Sequence, residues 1–160
     1  MSASDMPTVG LGLYFEDLPV GKKFKTLGRT VMDADICAFC NVIHMTEVLF
    51  TDMEFVKHES DIKGRIAPGA FIYGVAEGLL AQSTMQKTGY AFLNMELTVH
   101  SPVFAGDTLH VECEVIESRA SKSRPGRALV RTANKVINQK GQVVLSYTPL
   151  RMVKCKSAAA

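Results

Sequence analysis

Several residue groups in this chain have types and spacings that could do chemistry. Pro68-Gly69 opens a long apolar run, GRIAPGAFIYGVAEGLLAQ from Gly64 to Gln82. A helix starting there would aim unpaired N–H groups at a polarised carbonyl or an anion. His44 carries an imidazole, which titrates near neutral pH, and Glu47 three residues on would meet it if that segment is helical. Cys37 and Cys40 have the spacing of a redox or zinc pair, yet no second pair accompanies them and His44 would be at best a third ligand. Two packed helical thiols account for them, and no residue set is assigned to a metal. Arg119, Lys122, Arg124 and Arg127 suit phosphate recognition or a solvated loop. His58, His100 and His110 lie in charged loop or strand patterns and read as structural or solvated.

Periodicity supplies the elements that must position these residues. The apolar run predicts a helix buried on nearly every side, about Ala70–Met85, with Pro68 near its first turn and an end near Gly89. Gly74 and Gly78 fall where backbones come close. Asp33 can cap a helix from about Ala34 to Val42, with Ile36, Phe39 and Cys40 on one face. A strand is predicted around Lys23–Val31, a short turn over Met45–Phe50, and a polar loop or lid with one helical turn over Thr51–Lys63. Beyond Gly89 the period changes to two. Leu93, Met95, Leu97 and Val99 alternate with polar residues, as do Leu109, Val111, Cys113 and Val115. Ala128–Ile137 and Val143–Met152 continue as strands, with Asn138–Gly141 closing a hairpin and Ser121–Gly126 an exposed loop.

These elements predict an α+β fold: one antiparallel sheet of about five strands wrapped around one long central helix that is too apolar to face water. Residues 14–154 form the domain, 1–13 a flexible N-terminus and 155–160 a tail. A chain of 160 residues with 47% hydrophobic content can bury one sizeable core and is short for two domains. A net charge of +2 gives no reason to propose nucleic acid as the partner. No run of about 18 apolar residues lacks a charge or break, so no membrane span is predicted. The opening MSASDMPTVG lacks the order of a secretory signal, and four cysteines without regular spacing point to the cytoplasm, with reduced thiols. Open sheet edges predict pairing of two chains at least.

The segments YFEDLPVGKKF, GRIAPGAFIYGVAEGLL and SPVFAGDTLHVECEV, in this order and spacing, resemble the MaoC-like dehydratases and (R)-specific enoyl-CoA hydratases. The similarity runs from about Tyr14 to Val153. It implies the hotdog fold, acyl-thioester substrates (coenzyme A esters or acyl-carrier thioesters) of fatty acid metabolism, and reversible addition of water across a 2-enoyl bond. It also implies an active site at or near a subunit interface of a homodimer or larger assembly. No cofactor is expected beyond the coenzyme A carried by the substrate.

The family's catalytic motif resembles Asp-x-Asn-Pro-x-His, flanked by Asp-Ile-x-x-Phe and x-Asp-x-x-Phe. Both flanks are present as Asp35-Ile36 with Phe39, and Asp52 with Phe55. In that register the Asp position holds Met45, the His position Phe50, and the Asn and Pro positions Glu47 and Val48. Pro68 stands where a His often precedes the helix glycine. Hydration needs a base for water, an acid for the α-carbon and donors for the thioester oxygen. Met45 and Phe50 can move no proton and instead line an apolar pocket or fill core. Gly69, with Ala67 and Pro68 at the helix start, is the expected thioester donor site. His44, Glu47 and Asp52 are the candidate replacements for the catalytic pair. Three readings stay open: a hydratase, a thioester-binding or assembly protein without the dyad, and a thioesterase.

Overall fold

The fold is organised by one helix that the sheet must cover. The computed structural model describes residues 6–156, so residues 1–5 of the expected flexible N-terminus and residues 157–160 of the expected tail lie outside the described residues. Helix α4 spans Gly69–Thr84, one residue earlier at each end than the periodicity predicts. Phe71, Ile72, Ala76 and Leu80 are buried on it, and each large apolar side chain removed from water contributes roughly 2 kcal/mol. Ala70, Gly74 and Gly78 face outward instead.

Among the described residues, eight strands form the sheet that wraps this helix. They are β1 (Lys23–Lys25), β2 (Arg29–Thr30), β3 (Gly89–Asn94), β4 (Leu97–Val99), β5 (Thr108–Ala120), β6 (Arg127–Ile137), β7 (Val143–Tyr147) and β8 (Leu150–Lys154). All pairings are antiparallel, and the main path runs β1-β5-β6-β7-β4. This is the expected α+β hotdog arrangement, with more strands than the five predicted. Two causes raise the number. The Lys23–Val31 strand breaks into β1 and β2, both on β5. The two later apolar stretches each divide, at Met95-Glu96 and at Thr148-Pro149.

The second division bends the sheet. The first half of β6 pairs with β8 and the second half with β7. Leu109, Val111, Cys113 and Val115 are buried, as their alternation predicts, the first three in the core with α4 and Val115 in a second cluster with Leu18, Ala128 and Val153. Burial pushes the Cys113 thiol up to about 12. Asn138 closes the β6–β7 hairpin, its side-chain oxygen accepting from the N–H groups of Lys140 and Gln142.

The quoted sequence segments are mostly turn hardware. Asp17 accepts from the Tyr14 N–H and Gly21 has a φ of +86°. Asp107 accepts from the Phe104 N–H next to Gly106, whose φ is +95°. The Lys156 ammonium holds the Asp17 carboxyl below its ordinary value. That tie therefore contributes at neutral pH and fades as pH falls through the carboxylate range. No helix among the described residues is long and apolar enough to cross a membrane.

Residues ahead of the domain body also dock. Gly12 and Leu13 donate from their N–H groups to the Gln86 and Thr84 carbonyls, both at 2.8 Å. A Cβ on Gly12 would stand 2.4 Å from the Thr84 oxygen. Gly12→Ala is therefore expected to destabilise the fold by about 1–3 kcal/mol, read as a lower urea midpoint at unchanged slope.

Candidate functional site

The site is built on the joint where the chain enters α4. The Ala67 N–H donates to the Val103 carbonyl at 2.8 Å, and the Ala105 N–H to the Arg65 carbonyl at 3.0 Å. Ile66 bridges Phe104 in the same short ladder. Ala67 and Pro68 are buried there, and Pro68 takes the N-cap position. Its carbonyl accepts from the Phe71 and Ile72 N–H groups at 2.9 and 3.1 Å. The N–H groups of Gly69 and Ala70 precede these bonds and lie at the positive end of the helix dipole. A Cβ on Gly69 would stand 3.3 Å from Val99 of β4, so the turn is close to its neighbour as well as free to donate.

Arg65 of this joint holds the segment that contains Met45 and Phe50. Helix α1 spans Asp33–Val42 and begins one residue before the prediction, with Met32 at the N-cap position. Asp35 accepts from the Met32 N–H, while Asp33 is drawn instead to Arg65. The helix ends at Ile43, and His44 follows with a φ of +55°. Two short helices come next, α2 (Val48–Thr51) and α3 (Met53–His58). Arg65 ties α1 to α2: Nε meets Asp33 and Nη1 donates to the Phe50 carbonyl, each at 2.8 Å.

Met45 and Phe50 are half-buried and pack against the core. Phe39 and Phe71 meet edge to face beside them, with centroids 5.4 Å apart. An apolar groove of about 510 Å³ runs from Phe39 and Phe71 along the outward face of α4, past Leu27, Gly74 and Gly78, and neither Met45 nor Phe50 lines it.

The proton-carrying candidates are less gathered. His44 and Glu47 are both exposed, and residues 45–47 between α1 and α2 are not helical. Their three-residue spacing therefore does not stack them as a helical turn would. Asp52 is exposed and caps α3, its Oδ1 accepting from the Glu54 and Phe55 N–H groups at 2.9 and 3.0 Å.

The remaining groups fall where structure needs them. Cys40 is buried, and Cys37 lies 3.7 Å from an Asp33 oxygen. Arg124 donates to the Tyr90 hydroxyl and the Arg127 guanidinium lies 4.8 Å from that ring's centre. This basic hairpin sits by the C-terminal end of α4, through the Lys154 to Thr88 bond, and so at the far end from Gly69. His100 bonds Ser146 and His58 pairs with Glu54.

One cluster escaped the sequence reading. Glu77 is the single acidic residue on α4. Its Oε1 accepts from the Tyr147 hydroxyl at 2.8 Å and from Arg151. Tyr73 stacks edge-on against Tyr147, 5.3 Å between centroids. Burial and the Glu77 carboxylate push the Tyr147 hydroxyl well above its ordinary value. The available signal was one carboxylate in an otherwise apolar helix; its partners lie far along the sequence.

The model of the FAS1-like dehydratase domain region family matches residues 19–147, and the chain belongs to that family. The MaoC-like dehydratase from Rhodospirillum rubrum is 33% identical, with a TM-score of 0.80 over 91% of this chain and 99% of that one. The R-hydratase from Pseudomonas aeruginosa, in its unliganded form, is 26% identical, with a TM-score of 0.74 over 91% of this chain and 88% of that one. Mesaconyl-CoA hydratase from Haloarcula marismortui is 26% identical over 103 residues, which are 64% of this chain. The chain spans only 29% of that curated relative's length.

The Arg65 strap gives a direct expectation. Arg65→Met removes both the Asp33 pair and the hold on the Phe50 carbonyl. Amide exchange across residues 48–58 should then rise by about tenfold or more, with α4 unchanged.

Proposed function

We propose that the chain is a MaoC-like acyl-CoA dehydratase or enoyl-CoA hydratase, adding or removing water across a 2-enoyl thioester. The observation that carries this reading is the helix start. The Gly69 N–H can hold a thioester oxygen, and an apolar groove with room for an acyl chain begins at Phe71, two residues further along the same helix. Family membership and the full-length likeness to a MaoC-like dehydratase support the reaction class. The named hydratase relatives support a thioester substrate. Such a reaction needs no cofactor beyond the coenzyme A, or acyl-carrier thiol, of its substrate.

The reading includes a homodimer. Tyr90, Phe92 and Leu93 of β3, with Leu97 and Val99 of β4, leave apolar surface uncovered at one margin of the sheet. Ala70, Gly74 and Gly78 on the adjoining outward face of α4 would let a second backbone approach closely.

A second reading rests on Met45 and Phe50. Their packing against the core, where the family motif is polar, favours an acyl-thioester-binding or assembly protein without the dyad. A third, thioester hydrolysis, requires a carboxylate aimed at the carbonyl.

The wild type is expected to remove the enoyl absorbance of crotonyl-CoA or a longer enoyl-CoA. No turnover across that series would sink the hydratase reading. Saturable binding of butyryl-CoA would then favour the second reading, and thiol release the third. Among His44→Ala, Glu47→Gln and Asp52→Asn, a loss of about a hundredfold or more would assign proton transfer to that group. Losses below about tenfold in all three would take this loop out of the mechanism.

A further inference from the structure

We infer that Glu77, on the central helix, is the carboxylate that moves the proton in the proposed hydration, in place of the groups that Met45 and Phe50 lack. The inference rests on that reading of the site. It starts from a cost: α4 has no other charged residue, and a carboxylate against a helix–sheet core is expensive to desolvate. Arg151 of β8 offsets that cost, with the Tyr147 hydroxyl of β7 on the same oxygen, Oε1. The second oxygen keeps acceptor capacity, and the Glu77 side chain stays 24% exposed, against 12% for Arg151. The carboxylate is thus held rigidly by one oxygen while the residue remains reachable.

Two further observations mark the cluster as more than a strut. Asn134 lies opposite Tyr147 in the β6–β7 register, 1% exposed, and its amide, which is close to the Tyr147 hydroxyl, completes no hydrogen bond of good geometry among the described residues. The Thr132 hydroxyl on the same face of β6 is likewise buried and unpartnered. A pair serving only to pin the helix would not need uncommitted amide and hydroxyl groups beside it. Polar groups left open in this way suit water, the second reactant of a hydratase.

The placement along the helix also fits. Gly69 and Glu77 are about 12 Å apart along the axis, by the rise of about 1.5 Å per residue. Helical side chains lean back over the preceding turn, which brings the carboxylate closer to the Gly69 N–H. An enoyl thioester with its oxygen on Gly69 would extend its double bond along the flank of α4 that carries Ala70 toward Glu77, which lies beside the groove lined by Gly74 and Gly78 and not in it. In the step proposed, the carboxylate takes a proton from water as the water oxygen bonds to C3. The electron pair of the double bond moves onto the thioester oxygen, held at Gly69. The carboxylic acid then returns its proton to C2, so one water is added, no electrons are transferred and the carboxylate is restored.

The test compares wild type, Glu77→Gln and the double variant Glu77→Gln/Arg151→Gln, which removes both charges together, on crotonyl-CoA. Glu77→Gln keeps an acceptor for Tyr147 but cannot move a proton. The expected result is a fall in kcat of about a hundredfold or more for each folded variant, with butyryl-CoA binding within about threefold of wild type. Either folded variant retaining kcat within about tenfold would overturn the assignment while leaving the hydratase reading intact. A wild type inactive on all enoyl thioesters would overturn both. The wild-type protein supplies a measurement independent of the variants' folding. A water-soluble carbodiimide should label Glu77, mapped by mass spectrometry, and saturating butyryl-CoA should block that labelling. Labelling unaffected by butyryl-CoA would also overturn the inference.

Discussion

A helix of 16 residues with one charged side chain cannot lie against water, and most of the architecture follows from covering it. The sheet curls because a flat one would leave the flanks of α4 bare. Strand β6 changes partner from β8 to β7 partway along, and that bend lets one sheet reach two sides of the helix. The N-terminal stretch closes the far end through Gly12, and the Ile66–Phe104 bridge closes the near end. The same ladder that finishes the cover leaves the first N–H groups of α4 facing outward. Fold and candidate site therefore share one cause.

The motif segment shows what the scaffold preserves when side chains change. Met45 and Phe50, at the positions where the family resemblance expects a proton-transferring pair, pack against the core. Arg65 still anchors the segment above the helix start, bonding a backbone carbonyl that any residue at position 50 would present. The position of this segment thus depends little on the side chain at residue 50. An oxyanion donor made from backbone has the same independence, because no substitution short of proline removes the N–H of residue 69.

Much of this was legible in the sequence where the signal was local. The apolar run fixed α4 to within a residue at each end, and the alternation at Leu109, Val111, Cys113 and Val115 gave the inner face of β5. Asn138–Gly141 closed its hairpin as read. The breaks at Met95-Glu96 and Thr148-Pro149 were hidden, since each arises from a change of pairing partner rather than from the strand's own pattern. At the site, Gly69 was visible because Pro-Gly before an apolar run has a local meaning. The Glu77, Tyr147 and Arg151 cluster was not, because its members meet only after α4 docks on β7 and β8. The spacing of His44 and Glu47 carried a condition, a helix through residues 45–47, that the left-handed turn at His44 does not meet.

The order of elements along the chain has a consequence for biosynthesis. Strands β5, β6 and β7 form consecutive hairpins and β8 returns to pair with β6, so most of their pairing is local and should be quick. Helix α4 precedes them all. During translation about 70 residues must follow Thr84 before β8 is complete, which takes roughly 4–14 s at typical elongation rates. For that interval the most apolar element of the protein has emerged without its cover. The nascent chain is then most open to chaperone capture or to association with its neighbours. Once the last strand arrives, Phe71, Ile72, Ala76 and Leu80 of the same helix are shut away from water.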